Sequence, residues 1–202
     1  MSGETGDGAS TVDLALKQLL LGEVIAVATD TVYGLVCDPH AAAAVEHVYR
    51  LKGRPGDLEL TLLAASHAQL ERLVSWTPAA RRLAARFWPG PLSLVLPVGE
   101  GRLSVPRRGE TLSVRVPAHT LVRELLARSG PLASTSANRH GEPPALTAAA
   151  VRQQFGDLVP VVLEGGRPSG VASTIIDCSV TPPRVLRQGP IDSRRLSEFV
   201  QV

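Results

Sequence analysis

Short apolar runs alternate with segments of helical period along almost the whole chain, with no internal repeat and no linker between them. The spacing of Val12, Leu16, Leu19 and Leu20 predicts a helix from Thr11, with Gly22 as its stop. A buried strand follows over 24–29. A helix over 41–51 carries Ala41, Ala44, Val45 and Val48 on one face. Residues 60–65 read as a strand, and two helical patterns come next, the second opened by Thr77 as N-cap and Pro78 at N1. Strands are expected over 92–98 and 112–117, a helix over 119–128, and a short strand entering Ser134-Thr135-Ser136. The remainder reads as a helix over 147–155, strands over 159–163, 173–178 and 184–187, and a last helix over 192–200. Residues 1–10 are small and polar, and are expected to be a disordered N-terminal tail ahead of one domain over 11–202. This is an α/β pattern, and the closely spaced late strands favour a mixed sheet. At 202 residues and 44% apolar content, the chain is long enough for one core.

Charge excludes some classes. With 21 basic against 19 acidic residues, the net charge of +2 fits neither a polybasic tail nor an acidic disordered chain. Lys17 and Lys52 are the only lysines, so nearly every cation is a guanidinium, the group that grips carboxylate and phosphate in a fork. Cys37 and Cys178 lie in no zinc-like spacing and read as two thiols in a reducing compartment. No apolar run approaches membrane-spanning length, and the first residues lack the regions of a signal peptide. A soluble, cytoplasmic protein without a membrane partner is expected. Aromatic residues make up only 3%, too few for a stacking platform.

No phosphate loop, dinucleotide fingerprint, nucleophile elbow or metal-binding histidine pattern is present, and the five histidines share no spacing. Polar blocks at strand ends carry the chemistry instead. Thr29-Asp30-Thr31-Val32-Tyr33-Gly34-Leu35 follows the first strand and suits a small polar ligand, or an ordinary turn. Lys52-Gly53-Arg54-Pro55 ends a helix, where cations complement the dipole or reach a phosphate. Arg115 interrupts an apolar strand and shares a face with Ser113, so it needs an anion, from the protein or from a substrate. Ser134-Thr135-Ser136-Ala137-Asn138 offers hydroxyls and an amide to phosphate or ribose oxygens, or forms a cap. The glycines of 165–170, with Ser173 and Arg187, allow an anion nest or a plain connection.

In their order these blocks resemble the YrdC/Sua5 family, the L-threonylcarbamoyladenylate synthases, over about residues 12–192. The likeness also includes Trp88-Pro89-Gly90-Pro91-Leu92, Val116-Pro117-Ala118-His119, Ser173-Thr174-Ile175-Ile176-Asp177 and Val185-Leu186-Arg187-Gln188-Gly189-Pro190. The resemblance implies a twisted mixed sheet with flanking helices around a concave basic cavity, as in YrdC/RibB-like folds. It implies the conversion of L-threonine, bicarbonate and ATP into threonylcarbamoyl-AMP and pyrophosphate, with Mg²⁺ accompanying the ATP. A downstream tRNA threonylcarbamoyl transferase complex would then modify adenosine 37 of tRNA. Carried over by position, threonine maps to Thr31, Arg115, Ser134 and Ser173. ATP maps to Lys52, Arg54, Thr111, Ser136, Asn138 and Arg187, with Lys52 and Arg54 stabilising the reacting charge. No protein metal ligand is implied. The chain stops at Val202, as the short, single-domain form would.

The chain departs from the family pattern in two places. Leu58 stands where a polar group is frequent, and Glu59 replaces an uncharged residue, usually proline. Glu59 either faces the phosphates, weakening ATP binding or marking a divergent paralogue, or points outward. Ala28 also replaces a common proline. The rival readings are a module that binds double-stranded RNA or tRNA, and a silent paralogue that binds threonine or nucleotide.

Overall fold

The computed structural model describes residues 6–53, 59–101, 103–105 and 109–199. Its centre is one nine-stranded mixed sheet in the order β7-β1-β2-β6-β3-β5-β4-β8-β9. The strands are β1 (Ile25–Val27), β2 (Gly34–Cys37), β3 (Thr61–Leu63), β4 (Leu92–Pro97), β5 (Thr111–Arg115), β6 (Leu132–Ser136), β7 (Val162–Leu163), β8 (Thr174–Asp177) and β9 (Arg184–Arg187). The helices are α1 (Gly6–Leu20), α2 (Ala42–Lys52), α3 (Pro78–Phe87), α4 (Thr120–Ser129), α5 (Ala148–Phe155) and the single turn α6 (Ser193–Leu196).

Period-two alternation divides the sheet into two faces. One is mainly apolar: Leu35, Leu62, Leu94, Val114, Ala133 and Ile176 are almost fully buried there, with side chains of α2, α3, α5 and α6 packed over them. The other face is apolar at one end only. There Ile25, Val27, Val36, Leu63 and Leu132 lie under Val12, Ala15 and Leu19 of α1 and Val122, Leu125 and Leu126 of α4. Thr77 caps α3 by accepting from Ala80 N at 3.2 Å, with Pro78 at N1 as the sequence predicts.

Several elements differ from expectation. Strand β2 has no counterpart in the sequence reading, because Gly34-Leu35-Val36-Cys37 directly follows the polar block and is only four residues long. It exists because it pairs on both sides, with β1 and with β6. Helix α1 starts at Gly6, inside the stretch expected to be a tail; once residues 12–20 are helical, each added residue gains a backbone bond without a new nucleus. The pattern after 65 gives a 3₁₀ turn (His67–Leu70), and the last helix is four residues long. Among the described residues, no helix is long and apolar enough to cross a membrane, and both cysteines are free and buried.

Candidate active site

Beyond the cover of α1 and α4, small polar side chains replace the apolar ones on the same sheet face. Gly34 of β2 is level with Ser136 of β6, and Ser134 of β6 with Thr61 of β3. Thr61 is level with Ser113 of β5, Ser113 with Val95 of β4, and Ser93 of β4 with Ile175 of β8. Thr61 Oγ1 meets Ser113 Oγ at 3.0 Å, and Ser93 Oγ meets Ser173 Oγ at 2.9 Å. This hydroxyl-lined floor bounds a cleft of about 480 Å³, a usual size for a small-ligand site. It lies on a face of the sheet, not at the carboxyl ends of its strands as expected for the Thr29–Leu35 block, because β1 turns back into antiparallel β2.

Arg115 projects from the end of β5 and is only 5% exposed. Its Nε donates to Gly90 O at 3.0 Å, Nη1 to Thr31 Oγ1 at 2.9 Å, and Nη2 to Asp30 Oδ1 at 2.6 Å. The anion demanded by the sequence is therefore a protein carboxylate. Burial works against the guanidinium's charge, and the attraction of Asp30 opposes that. Three of the five N–H groups of an arginine are engaged here, which leaves two for a ligand. Asp30 Oδ1 also accepts from Ala118 N at 3.2 Å, while Oδ2 is buried without a partner.

Hydrogen-bond accounting fixes what Thr31 can offer. The Thr29 hydroxyl donates to Val32 O at 2.6 Å and accepts from Thr31 N at 3.1 Å and Val32 N at 3.3 Å, with Thr31 Oγ1 3.0 Å away. Thr31 accepts from Arg115 on one of its two lone pairs and keeps the other. Beside a guanidinium that presents donors, the cleft presents an acceptor. An α-amino acid zwitterion has that pair of complements.

The expected ATP-side residues form a second group. Lys52, the last residue of α2, is 5% exposed, and its Nζ donates to Ser136 O at 2.8 Å, Asn138 Oδ1 at 2.9 Å and Ser136 Oγ at 3.4 Å. Desolvation lowers its pKa to about 8. Gly53 closes the helix at φ 68°, a left-handed turn that only glycine adopts without strain. Asn138 is satisfied as well, donating to Arg139 O and Glu142 O and accepting from Ser136 Oγ at 2.6 Å. Lys52 and Asn138 stand behind Ser136, which lines the cleft, and do not line it themselves. Thr111 shares the face of Ser113 and Arg115 by alternation but is also outside the lining. Arg54 and Leu58 lie outside the described residues.

Arg187, at the end of β9, lines the cleft and donates through Nε to Ser173 O at 3.0 Å and through Nη2 to Ser173 Oγ at 3.1 Å. Burial lowers its pKa. Gly189 makes this approach feasible: a Cβ there would lie 2.5 Å from Ala172 O and collide with Thr174 N. The preceding loop is fastened over the first block by Ser169 N donating to Asp30 O at 3.1 Å and Gly170 N to Thr31 O at 2.9 Å. His119 fixes the loop's start, its Nε2 lying 2.8 Å from Gly165 O while Nδ1 accepts from Val122 N at 3.4 Å. That accepting role for Nδ1 makes Nε2 the protonated, donating nitrogen.

The structure therefore brings together Thr31, Arg115, Ser134, Ser136, Ser173 and Arg187 in one cleft. Sequence reasoning missed Asp30 as the partner of Arg115, and it missed Thr61, Ser93 and Ser113 as floor residues. A hydroxyl inside each apolar strand was the available signal, but only the register shows that they converge.

Comparison with known proteins agrees with this picture. The sequence profile of one family, Sua5_yciO_yrdC, described as "Telomere recombination", matches residues 17–189. A threonylcarbamoyl-AMP synthase from Idiomarina loihiensis is 43% identical over 161 residues, covering 77% of this chain and 86% of the relative. A threonylcarbamoyl-AMP synthase from Pyrococcus abyssi is 39% identical over 183 residues, covering 89% of this chain and 54% of the relative. The crystal structure of P. abyssi Sua5 complexed with L-threonine superposes with a TM-score of 0.86 at 37% identity, over 94% of this chain and 57% of that one. The chain thus spans about half the length of the archaeal protein and most of the bacterial one.

Proposed function

This chain belongs to the Sua5/YciO/YrdC family, and from that premise we propose that it is a threonylcarbamoyl-AMP synthase, joining L-threonine, bicarbonate and ATP with release of pyrophosphate. The observation that carries the assignment is the pairing of donor and acceptor at Arg115 and Thr31, in a hydroxyl-floored cleft that also holds Arg187.

Arg115 takes the threonine carboxylate on its two remaining N–H groups, already aligned by Asp30 and Gly90. Thr31 accepts a hydrogen bond from the amino group or side-chain hydroxyl, and Ser134 and Ser173 complete that side. The neutral amine and bicarbonate give the carbamate and water. A carbamate oxygen then attacks the α-phosphorus in line, and the P–O bond to pyrophosphate breaks. Catalysis is positioning and charge stabilisation. Arg187 and Ser136 serve the nucleotide, joined by Arg54 and Thr111. Lys52 and Asn138 act through Ser136, holding its turn in place. Mg²⁺ fits this donor set as an ion brought by the triphosphate, whose charge it offsets. In the cytoplasm the product would be consumed by a tRNA threonylcarbamoyl transferase complex.

The test is pyrophosphate release by folded protein supplied with ATP, bicarbonate and Mg²⁺. Release that depends on threonine is expected. Release no greater than in a threonine-free control overturns the assignment.

A further inference from the structure

Glu59 precedes β3, whose register is fixed on both sides: Thr61 is level with Ser134 of β6 and with Ser113 of β5. Continuing that register by two residues places Glu59 level with Ser136 on one side and Thr111 on the other. Alternation agrees, since Leu60 is 1% exposed in the core of the opposite face. Glu59 lines the cleft, and it is the one carboxylate among the described residues that do so. The structure thus sets a negative side chain between two positions assigned above to ATP, at a site where the family usually carries an uncharged residue.

A carboxylate beside a triphosphate is repelled by it unless a cation lies between them. Magnesium suits that position, because it keeps several waters and binds through one or two carboxylates together with substrate phosphates. Serine and threonine hydroxyls on either side are compatible with its coordinated water. We infer that Glu59 is a ligand, direct or through one water, of the divalent cation that accompanies ATP, so that this enzyme binds the metal–nucleotide complex in preference to the free nucleotide. The inference rests on the reading of this cleft as the ATP site.

Titration calorimetry with a non-cleavable α,β-methylene analogue of ATP, in Mg²⁺ and in EDTA, reads that preference. Glu59 is exposed, so Glu59→Gln should fold; far-ultraviolet dichroism checks this. In the wild type Mg²⁺ is expected to tighten binding. In Glu59→Gln the ratio of the two affinities should fall roughly tenfold or more, because the magnesium complex loses a ligand and binds more weakly. The resonance of Mn²⁺ on the protein–nucleotide complex should also change between the two proteins. An unchanged ratio overturns the inference. So does a ratio that falls only because the metal-free nucleotide binds tighter while the magnesium complex binds no more weakly, as simple repulsion of the more highly charged form requires; an outward-facing Glu59 leaves both affinities as they were. Failure of the wild type to bind nucleotide under either condition overturns the ATP reading itself.

Discussion

Removing Asp30 tests whether Arg115 is held as a buried ion pair. The pair is short, at 2.6 Å, and its side chains are 6% and 15% exposed. Asp30→Ala leaves a guanidinium with only Gly90 O and Thr31 Oγ1 as acceptors, neither of them charged. Breaking a buried pair from one side costs about 3–5 kcal/mol. The lower end applies here, because Oδ2 is buried without a partner and its desolvation already offsets part of the pair's attraction. For a domain of this length about 3 kcal/mol corresponds to a melting temperature lower by roughly 6–12 °C. Arg115→Ala should cost a similar amount, since it strands Asp30. The double variant should be less unstable than the sum of the singles by about 2–3 kcal/mol, because neither charge is then left alone. Urea unfolding of the wild type, both singles and the double variant supplies the cycle. Single losses below about 1 kcal/mol that simply add would refute the buried-pair reasoning.

Arg115→Lys keeps the charge but replaces the fork with a point donor, so the KM for threonine should rise about tenfold or more while that for ATP stays within roughly twofold. Equal rises in both, measured by pyrophosphate release, would remove Arg115 from the threonine carboxylate. Lys52 loses its proton near pH 8 in the folded chain against 10.5 ordinarily, so the unfolded chain binds more protons across that window and stability rises with pH there. Urea midpoints of the wild type should therefore gain on those of Lys52→Met between about pH 8 and 10, by an amount approaching 3 kcal/mol. A difference flat with pH contradicts this. Gly189→Ala forces a Cβ against Ala172 O and Thr174 N, and should cost about 1–3 kcal/mol of stability while raising the KM for ATP through Arg187. Wild-type values for both would show that the strand end tolerates a side chain.

The sequence made Arg115 legible because a lone cation in an apolar strand demands a partner, yet it could not choose between a protein and a substrate carboxylate. Asp30 lies far from it along the chain, and only tertiary pairing brings the two together. Helices α2, α3, α4 and α5 were readable from period, caps and stops. Strand β2 was not, since four residues carry too little alternation to separate a strand from a turn. Lys52 shows a subtler limit. Its block marks it as an ATP contact, whereas all its donors are spent on Ser136 and Asn138, a difference set by where the end of α2 meets the end of β6.

The strand order has a consequence for how the protein is made. Its first strand pairs with β7, and β2 pairs with β6, so the N-terminal hairpin waits for neighbours encoded far downstream. Arg115 can meet Asp30 by mid-chain, but Thr31 meets Gly170 and Arg187 closes on Ser173 only late in the chain. During synthesis, a ribosome must therefore deliver nearly the entire domain before any substrate can be held. Until then the hydroxyl-bearing strands are exposed as open edges, and non-local pairing of this kind is slow. A chaperone that shields the nascent β1–β2 hairpin would act at the step where this topology is most vulnerable.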